Sequence, residues 1–517
     1  MSTVTTTRST RLEAPSLLHH RITTAAPSPL DREVRRDLLH DQLLQRLTHG
    51  RGEYQLEDWF TTPATRGDLD HRHAVFRDLA RPELRDALAQ FAGAVHHVRR
   101  MLDTGARSHY EIERQRWFLE AALRYTTAMH AFTELLDEAV PSSDALRRVS
   151  DWLTDYVEEP RFGDLASEAQ AVADQLGRVR YRVRVHGDQI QVRPVDPDEP
   201  DYAAEVLETF SRFRQGAGRS FLKQIQEPGS LDHVEAAVAG FVARLHPDAF
   251  EALRAFFEHH QPLVPEAVKR LEREAQFYLA YLEIADALAS RGLPCSLPVL
   301  ADDGRVEVEG GFDLVLALEA GERPTVLNDC VLVSDERLLV VTGPNQGGKT
   351  TFARMLGQLH LLATLGVPVP ARRARLPLLD EVLTIFERGE NLADQRGHLQ
   401  DDLHRARDLL DRAGPASLVL LNEVFASTTL DDSLFLARDF LHRLGATGAR
   451  CVCVTFLDEL AALTPTTVSM VAGVDPDDPT RRTYRVERRP ADGLAYAHAL
   501  AEQHGLTRAA LARRLPR

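Results

Sequence analysis

Gly343-Pro344-Asn345-Gln346-Gly347-Gly348-Lys349-Thr350 is the strongest chemical pattern in the chain. It fits G-x-x-x-x-G-K-[ST], with an apolar run before it and a helical pattern after it. The glycines let backbone N–H groups turn inward around phosphates, and the new helix adds its positive end. Lys349 supplies an ammonium for the phosphate oxygens, and the Thr350 hydroxyl can ligate Mg2+. Only three lysines, Lys223, Lys269 and Lys349, stand among 62 basic residues, and a planar guanidinium would fit this loop poorly. A chance match somewhere in a chain of this composition is roughly one in a thousand, before strand and helix are demanded. The pattern predicts an ATP site using Mg2+, with Gly343, Pro344, Asn345, Gln346, Gly347, Gly348, Lys349, Thr350 and Thr351 as nucleotide contacts.

Hydrolysis needs a second strand that ends in acidic groups. Ser417-Leu-Val-Leu-Leu421-Asn422-Glu423 supplies one some seventy residues downstream. Glu423 can orient and polarise the attacking water. Asn422 stands where an aspartate usually holds a Mg2+-bound water. Its amide oxygen can accept that hydrogen bond, with one negative charge fewer, which predicts weaker metal binding and slow turnover. Asn-Glu could also be no more than a strand end.

The elements that must position these groups are α/β from about Phe312. Strands are expected at Leu338–Val341, Leu418–Leu421 and Cys451–Thr455, with helices at Thr350–Leu365 and Asp432–Leu444. Cys451 and Cys453 share one face of a strand, which is packing rather than metal ligation. Before that, residues 1–30 are rich in Thr, Ser and Pro and read as a loose tail. From Asp31 to about Leu176 the pattern is helical, and it resumes from about Ala203 to a break at Gly292–Pro298. The stripe Val268, Leu271, Ala275, Tyr278, Leu282, Ala285 is for helix packing, with Tyr278 in the core.

One segment changes period. In 178–194, Val179, Tyr181, Val183 and Val185 alternate with Arg178, Arg180, Arg182 and Arg184, and His186-Gly-Asp188 turns into a second strand that carries Arg193. A solvated face is the bland explanation of these arginines. A phosphate-gripping clamp on DNA is the functional one, and the acidic DPDEPD at 196–201 weighs against it. The whole chain has 62 basic and 77 acidic side chains, net −15. Almost all of that excess lies in the first 320 residues, so nucleic-acid binding would need a local patch. Four cysteines in 517 residues suit a reducing compartment. Nothing approaches a membrane span or a secretory leader, and a cytoplasmic protein is expected.

The loop TGPNQGGKTT (342–351) resembles the TGPN-x-GGK-[ST]-T of the MutS family, the dimeric DNA mismatch-repair ATPases of the ABC superfamily. Val326-Leu-Asn328-Asp329 is similar to that family's segment whose apolar side chain packs on adenine, which implies Val326 in that role. Leu365-Gly-Val-Pro-Val-Pro370-Ala and Gly493-Leu-Ala-Tyr-Ala497, with the last helix from Thr507, also match, the latter resembling a dimerising helix-turn-helix. The resemblance covers about 312–517; the helices of 31–300 look like the family's core and lever domains.

The departures are specific. Phe118-Leu-Glu120 and Phe256-Phe-Glu258 spell the family's mismatch-reading wedge but lie in helical patterns, so that N-terminal domain is expected to be absent. The family's Thr-His switch reads Thr455-Phe456. The serine-led element that reaches the partner's nucleotide reads Arg396-Gly397-His398, leaving His398 as a possible trans contact or a surface histidine. No nuclease-like C-terminal extension follows, so the Smr-bearing branch is a poor match. No Leu-Ser-Gly-Gly-Gln signature is present, against an ABC transporter or SMC protein.

The resemblance implies a mixed fold. A loose tail (1–30) and an all-α core and lever region with a small hairpin (31–300, hairpin 178–194) precede an α/β phosphate-loop ATPase domain (312–517) with dimerisation helices at 493–515. It implies a homodimeric, ATP-gated DNA clamp or sensor in mismatch repair or recombination, off the membrane. The rivals are an ATP-driven switch for a protein or ribonucleoprotein partner and a binding-only pseudo-ATPase.

Overall fold

The computed structural model describes residues 15–20, 28–186, 189–195, 233–333, 335–387, 398–475, 477–478 and 481–491. The chain forms two compact units, one of Met1–Leu17 with Arg77–Ala275 and one of Leu18–Phe76 with Gln276–Arg517.

The first unit is helical. Its longest pair, Pro82–Arg107 and Glu111–Ala139, packs through Phe91 stacked on Phe132 with ring centroids 4.4 Å apart. Gly105 permits a close approach, since a Cβ there would lie 2.8 Å from that of Trp117. The two wedge-like spellings fall within helices Glu111–Ala139 and Pro247–His259. The expected hairpin is present, with β1 at Tyr181–His186 antiparallel to β2 at Gln189–Pro194. It begins later than the alternation suggests. Arg178 ends the helix Pro160–Gly177, and Arg180 precedes β1, its guanidinium held by the carbonyls of Gly177 and Val179. Arg182, Arg184 and Arg193 share one face of the ribbon. On the other face, Tyr181, Val183 and Ile190 are exposed rather than packed.

The loose tail needs correction over its described part. Leu17 is buried and its N–H donates to Glu274 at 2.6 Å, a buried carboxylate that also takes the Ser16 hydroxyl. A carboxylate out of water requires such donors, and they pin the segment. Residues 1–14 and 21–27 lie outside the described residues.

The second unit is built on a six-stranded sheet in the order β12-β11-β6-β10-β9-β8, where β6 is Leu338–Thr342, β8 Glu381–Phe386, β9 Ser417–Asn422, β10 Arg450–Val454, β11 Thr467–Val474 and β12 Arg482–Arg488. All are parallel except β12, which runs antiparallel at the edge. The central strands are continuously apolar and buried, as strands covered on both faces must be. A smaller sheet runs β3-β7-β4-β5, with β3 at Val299–Leu300, β4 at Val306–Gly311, β5 at Asn328–Leu332 and β7 at Arg373–Leu376.

Residues 18–76, helical in pattern like the segments after them, cluster with these sheets rather than with the first unit. The side chains show why. Phe60 stacks on Phe277 at 4.5 Å. The buried Arg72 guanidinium donates to the carbonyls of Leu18 and Leu365. Leu38 and Leu420 meet over Gly357, where a Cβ would stand 2.4 Å from Leu420 and 2.6 Å from Leu38. Among the described residues no helix is long and apolar enough to cross a membrane. Cys451 and Cys453 are buried and unpaired by disulfides, and Tyr278 is in the core.

Candidate nucleotide site

β6 ends at Thr342 and the chain turns sharply into the helix Lys349–Leu365. The turn is made by left-handed backbone at Gly343 (φ 115°), Gln346 (φ 59°) and Gly348 (φ 94°). Gly343 is fixed by a second constraint, because a Cβ there would come 2.9 Å from the carbonyl oxygen of Ala472 on β11. The Gly347 N–H donates to the Pro344 carbonyl at 3.1 Å, tightening the loop, and Gly348 caps the helix. The helix runs 17 residues, so its first N–H groups present a full dipole end.

Lys349 folds back over this loop. Its ammonium donates to the carbonyls of Gly343 at 2.9 Å and Pro344 at 3.2 Å, and to Asn345 Oδ1 at 3.4 Å. Burial pulls its pKa below the usual lysine value, and the nearby Glu423 carboxylate partly offsets that. Thr350 Oγ1 donates to Asn422 Oδ1 at 2.7 Å. That contact joins the start of the helix to the end of β9.

Glu423 leaves β9 with φ 53°, its N–H donating to the Val454 carbonyl at 2.9 Å. Two residues on, Phe425 is also left-handed (φ 62°) and buried, packed edge-on to Phe440. Non-glycine residues rarely adopt this conformation without a packing reason. Here the buried Phe425 anchors a turn that carries the Glu423 side chain out of the sheet.

These parts converge on a cavity of about 560 Å3. Asn345 to Thr351, Glu423 and Val326 line it, together with Leu316, Ala320 and Tyr484. Gly343 and Pro344 do not line it; their carbonyls hold the Lys349 ammonium that does. Asn422 reaches it through Thr350. Its wall includes Asp313, which caps the helix Leu314–Ala320 and pairs with Arg354 of the loop helix. The sequence did not point to Asp313, Leu316, Ala320, Arg323, Pro324, Thr325 or Tyr484 at this site, nor to the hydrogen bonds that Asn328 makes to β12. Tyr484 sits in an arginine-rich strand whose irregularity has no short-range signal.

The other expected residues are not among those lining the cavity, or lie outside the described residues. His398 opens the helix His398–Arg412, and its side chain, like Gly397 and the C-terminal helices 493–515, lies outside the described residues. Phe456 follows β10, the neighbour of β9, and is exposed. The hairpin arginines belong to the first unit.

Residues 339–502 match the family model of MutS domain V. The chain is also 30% identical, over 299 residues, to the DNA mismatch repair protein MutS of Granulibacter bethesdensis; the match covers 56% of this chain and 31% of that relative. The chain thus spans about a third of the length of the curated protein it matches. The glycine loop, Lys349, Asn422 and Glu423 all lie within the matched stretch. On these matches, residues 339–502 are similar to MutS domain V, and the chain resembles a MutS protein over 299 residues.

Proposed function

We propose that the chain binds Mg2+–ATP in the cavity at 343–351 and hydrolyses it slowly to ADP and phosphate, using the cycle to gate a homodimeric clamp or sensor on DNA in mismatch repair or recombination. The observation that carries this reading is one cavity lined by the glycine loop, Lys349, Thr350 and Glu423. Lys349, already held among loop carbonyls, exchanges them for phosphate oxygens. Val326, Leu316, Ala320 and Tyr484 offer the apolar surface a base and ribose require. Glu423 holds the attacking water and accepts its proton. Two hard oxygens, Thr350 Oγ1 and Asn422 Oδ1, stand 2.7 Å apart and suit a magnesium ion. Thr350 would ligate that ion and Asn422 hold one of its waters, and the ion would neutralise charge on the phosphates.

Subunit contact is supported by apolar side chains left in solvent near the end of β9. Phe435 is 71% and Leu430 61% exposed on the helix Leu430–Ala446 that follows Glu423. Scattered single residues of this kind are ordinary, whereas two on one helix beside a catalytic turn fit an interface. DNA is favoured by Arg182, Arg184 and Arg193 on one face of the ribbon. The acidic excess of the first 320 residues favours the second reading, a switch acting on a protein or ribonucleoprotein partner. The deciding experiment measures ATPase rate against perfect duplex, mismatch, four-way junction, single strand and ribosomes. Acceleration by a DNA structure supports the clamp, and acceleration only by ribosomes supports the second reading. No turnover with retained ATP binding leaves a binding-only pseudo-ATPase.

A further inference from the structure

β12 does not pair evenly with β11. Ala472 faces Val486 and Val474 faces Arg482, so the single residue Gly473 stands opposite Thr483, Tyr484 and Arg485. The surplus makes a bulge, which bends a strand and re-aims a side chain. Glycine is required opposite it, because a Cβ on Gly473 would lie 2.7 Å from Thr483 Oγ1. Within the bulge, Tyr484 has φ 58°, a left-handed conformation that is strained for an L-residue and persists only where its surroundings impose it.

The side chain of Asn328 imposes it. Its Nδ2 donates to the Tyr484 carbonyl at 3.3 Å, and its Oδ1 accepts from the Val486 N–H at 2.8 Å. A side-chain amide carries the same donor and acceptor as a peptide. Asn328, the first residue of β5, therefore fills two ladder positions of β12 as a neighbouring strand would. So held, the Tyr484 ring passes 3.7 Å from where a Gly348 Cβ would stand, on the wall of the cavity. Asn328 also lines that cavity, but both ends of its amide are spent on β12.

We propose that Asn328 is a positioning residue that holds Tyr484 as the wall for the base, so that it governs affinity for the nucleoside portion of the nucleotide and not for the triphosphate. This rests on the reading of the cavity as a nucleotide site. The test uses the full chain and the variants Asn328→Ala, Tyr484→Ala and the double variant, titrated with ATP and with inorganic tripolyphosphate in the presence of Mg2+. Losing an ordered aromatic contact should weaken ATP about tenfold in Asn328→Ala, with tripolyphosphate binding unchanged. The double variant should be no weaker than Tyr484→Ala alone. Equal losses for both ligands, or losses that add in the double variant, overturn the proposal.

Hydrogen exchange without nucleotide supplies an arm that does not depend on the site reading. The Val486 amide should exchange faster in Asn328→Ala while the Val340 amide of β6 does not, and an unchanged Val486 amide refutes the positioning role. Wild-type protein that binds neither ligand would instead sink the nucleotide-site reading, with the exchange arm still judging Asn328. If Asn328→Ala does not fold, Gly473→Ala, which expels the bulge from the other side, should give the same selective loss of ATP; equal loss of both ligands there counts against the idea.

Discussion

Glu423 and Asn422 are neighbours in sequence but are given opposite tasks by the backbone. Asn422 ends β9 and turns inward to Thr350, whereas the left-handed Glu423 turns out to the cavity. Replacing Glu423 by Gln keeps size and hydrogen bonding but removes the proposed base, so ATP should still bind within about twofold while single-turnover hydrolysis falls on the order of 10²-fold or more. Equal turnover in that variant would remove Glu423 from the chemistry. Asn422→Asp restores a negative charge beside Thr350, and the Mg2+ concentration for half-maximal ATPase should drop; an unchanged Mg2+ curve would show the substitution to be silent. The places of these two residues were legible in the sequence because an apolar run leads directly into them. Tyr484 was not, because what brings it to the site is three residues facing one across a strand pair, and Asn328 was visible only as a letter in a motif.

The helix Lys349–Leu365 shows how a single element couples loop to core. Gly357 on it lies against Leu38 and Leu420, so Gly357→Ala should destabilise by about 1–3 kcal/mol through overpacking, read as a lowered midpoint in urea. His360 on the same helix is fully buried, and burial pushes its pKa down to about 4 from 6.5. The unfolded chain then takes up the proton first as pH falls. The stability this neutral histidine confers is complete above pH 6.5 and is lost progressively toward pH 4. The loss amounts to about 3 kcal/mol. Unfolding midpoints measured from pH 7 to pH 4 should fall less steeply in His360→Leu; parallel curves would mean that other groups set the acid limb. Strands β6, β9 and β10 were legible to within a residue or so because their apolar runs are unbroken. β12, with its alternating arginines, and the small sheet had no such signature. The helices of 31–76 gave their faces through periodicity but not their partner, since a stripe of leucines does not say whether a helix or a sheet will cover it.

At the scale of the whole molecule, the proposed DNA contact makes a quantitative demand. Three arginines on the β1–β2 ribbon, if they meet phosphates, should release about three counterions. Changing Arg182, Arg184 and Arg193 to Gln should therefore flatten the slope of log K against log salt by about 3 units for duplex or branched DNA. An unchanged slope would return the ribbon to a solvated surface and shift weight to a protein partner. The junction between Asn328 and β12 has a consequence of another kind. Among the described residues β12 is the outermost strand of its sheet, and an outermost strand offers its unused amides and carbonyls to any chain that drifts alongside. Here a kink spoils its straightness and one asparagine occupies two of its docking points. The device that aims a tyrosine at the cavity thereby also seals a border against fibrous growth, and chains that lack that amide should be the first to clump on storage.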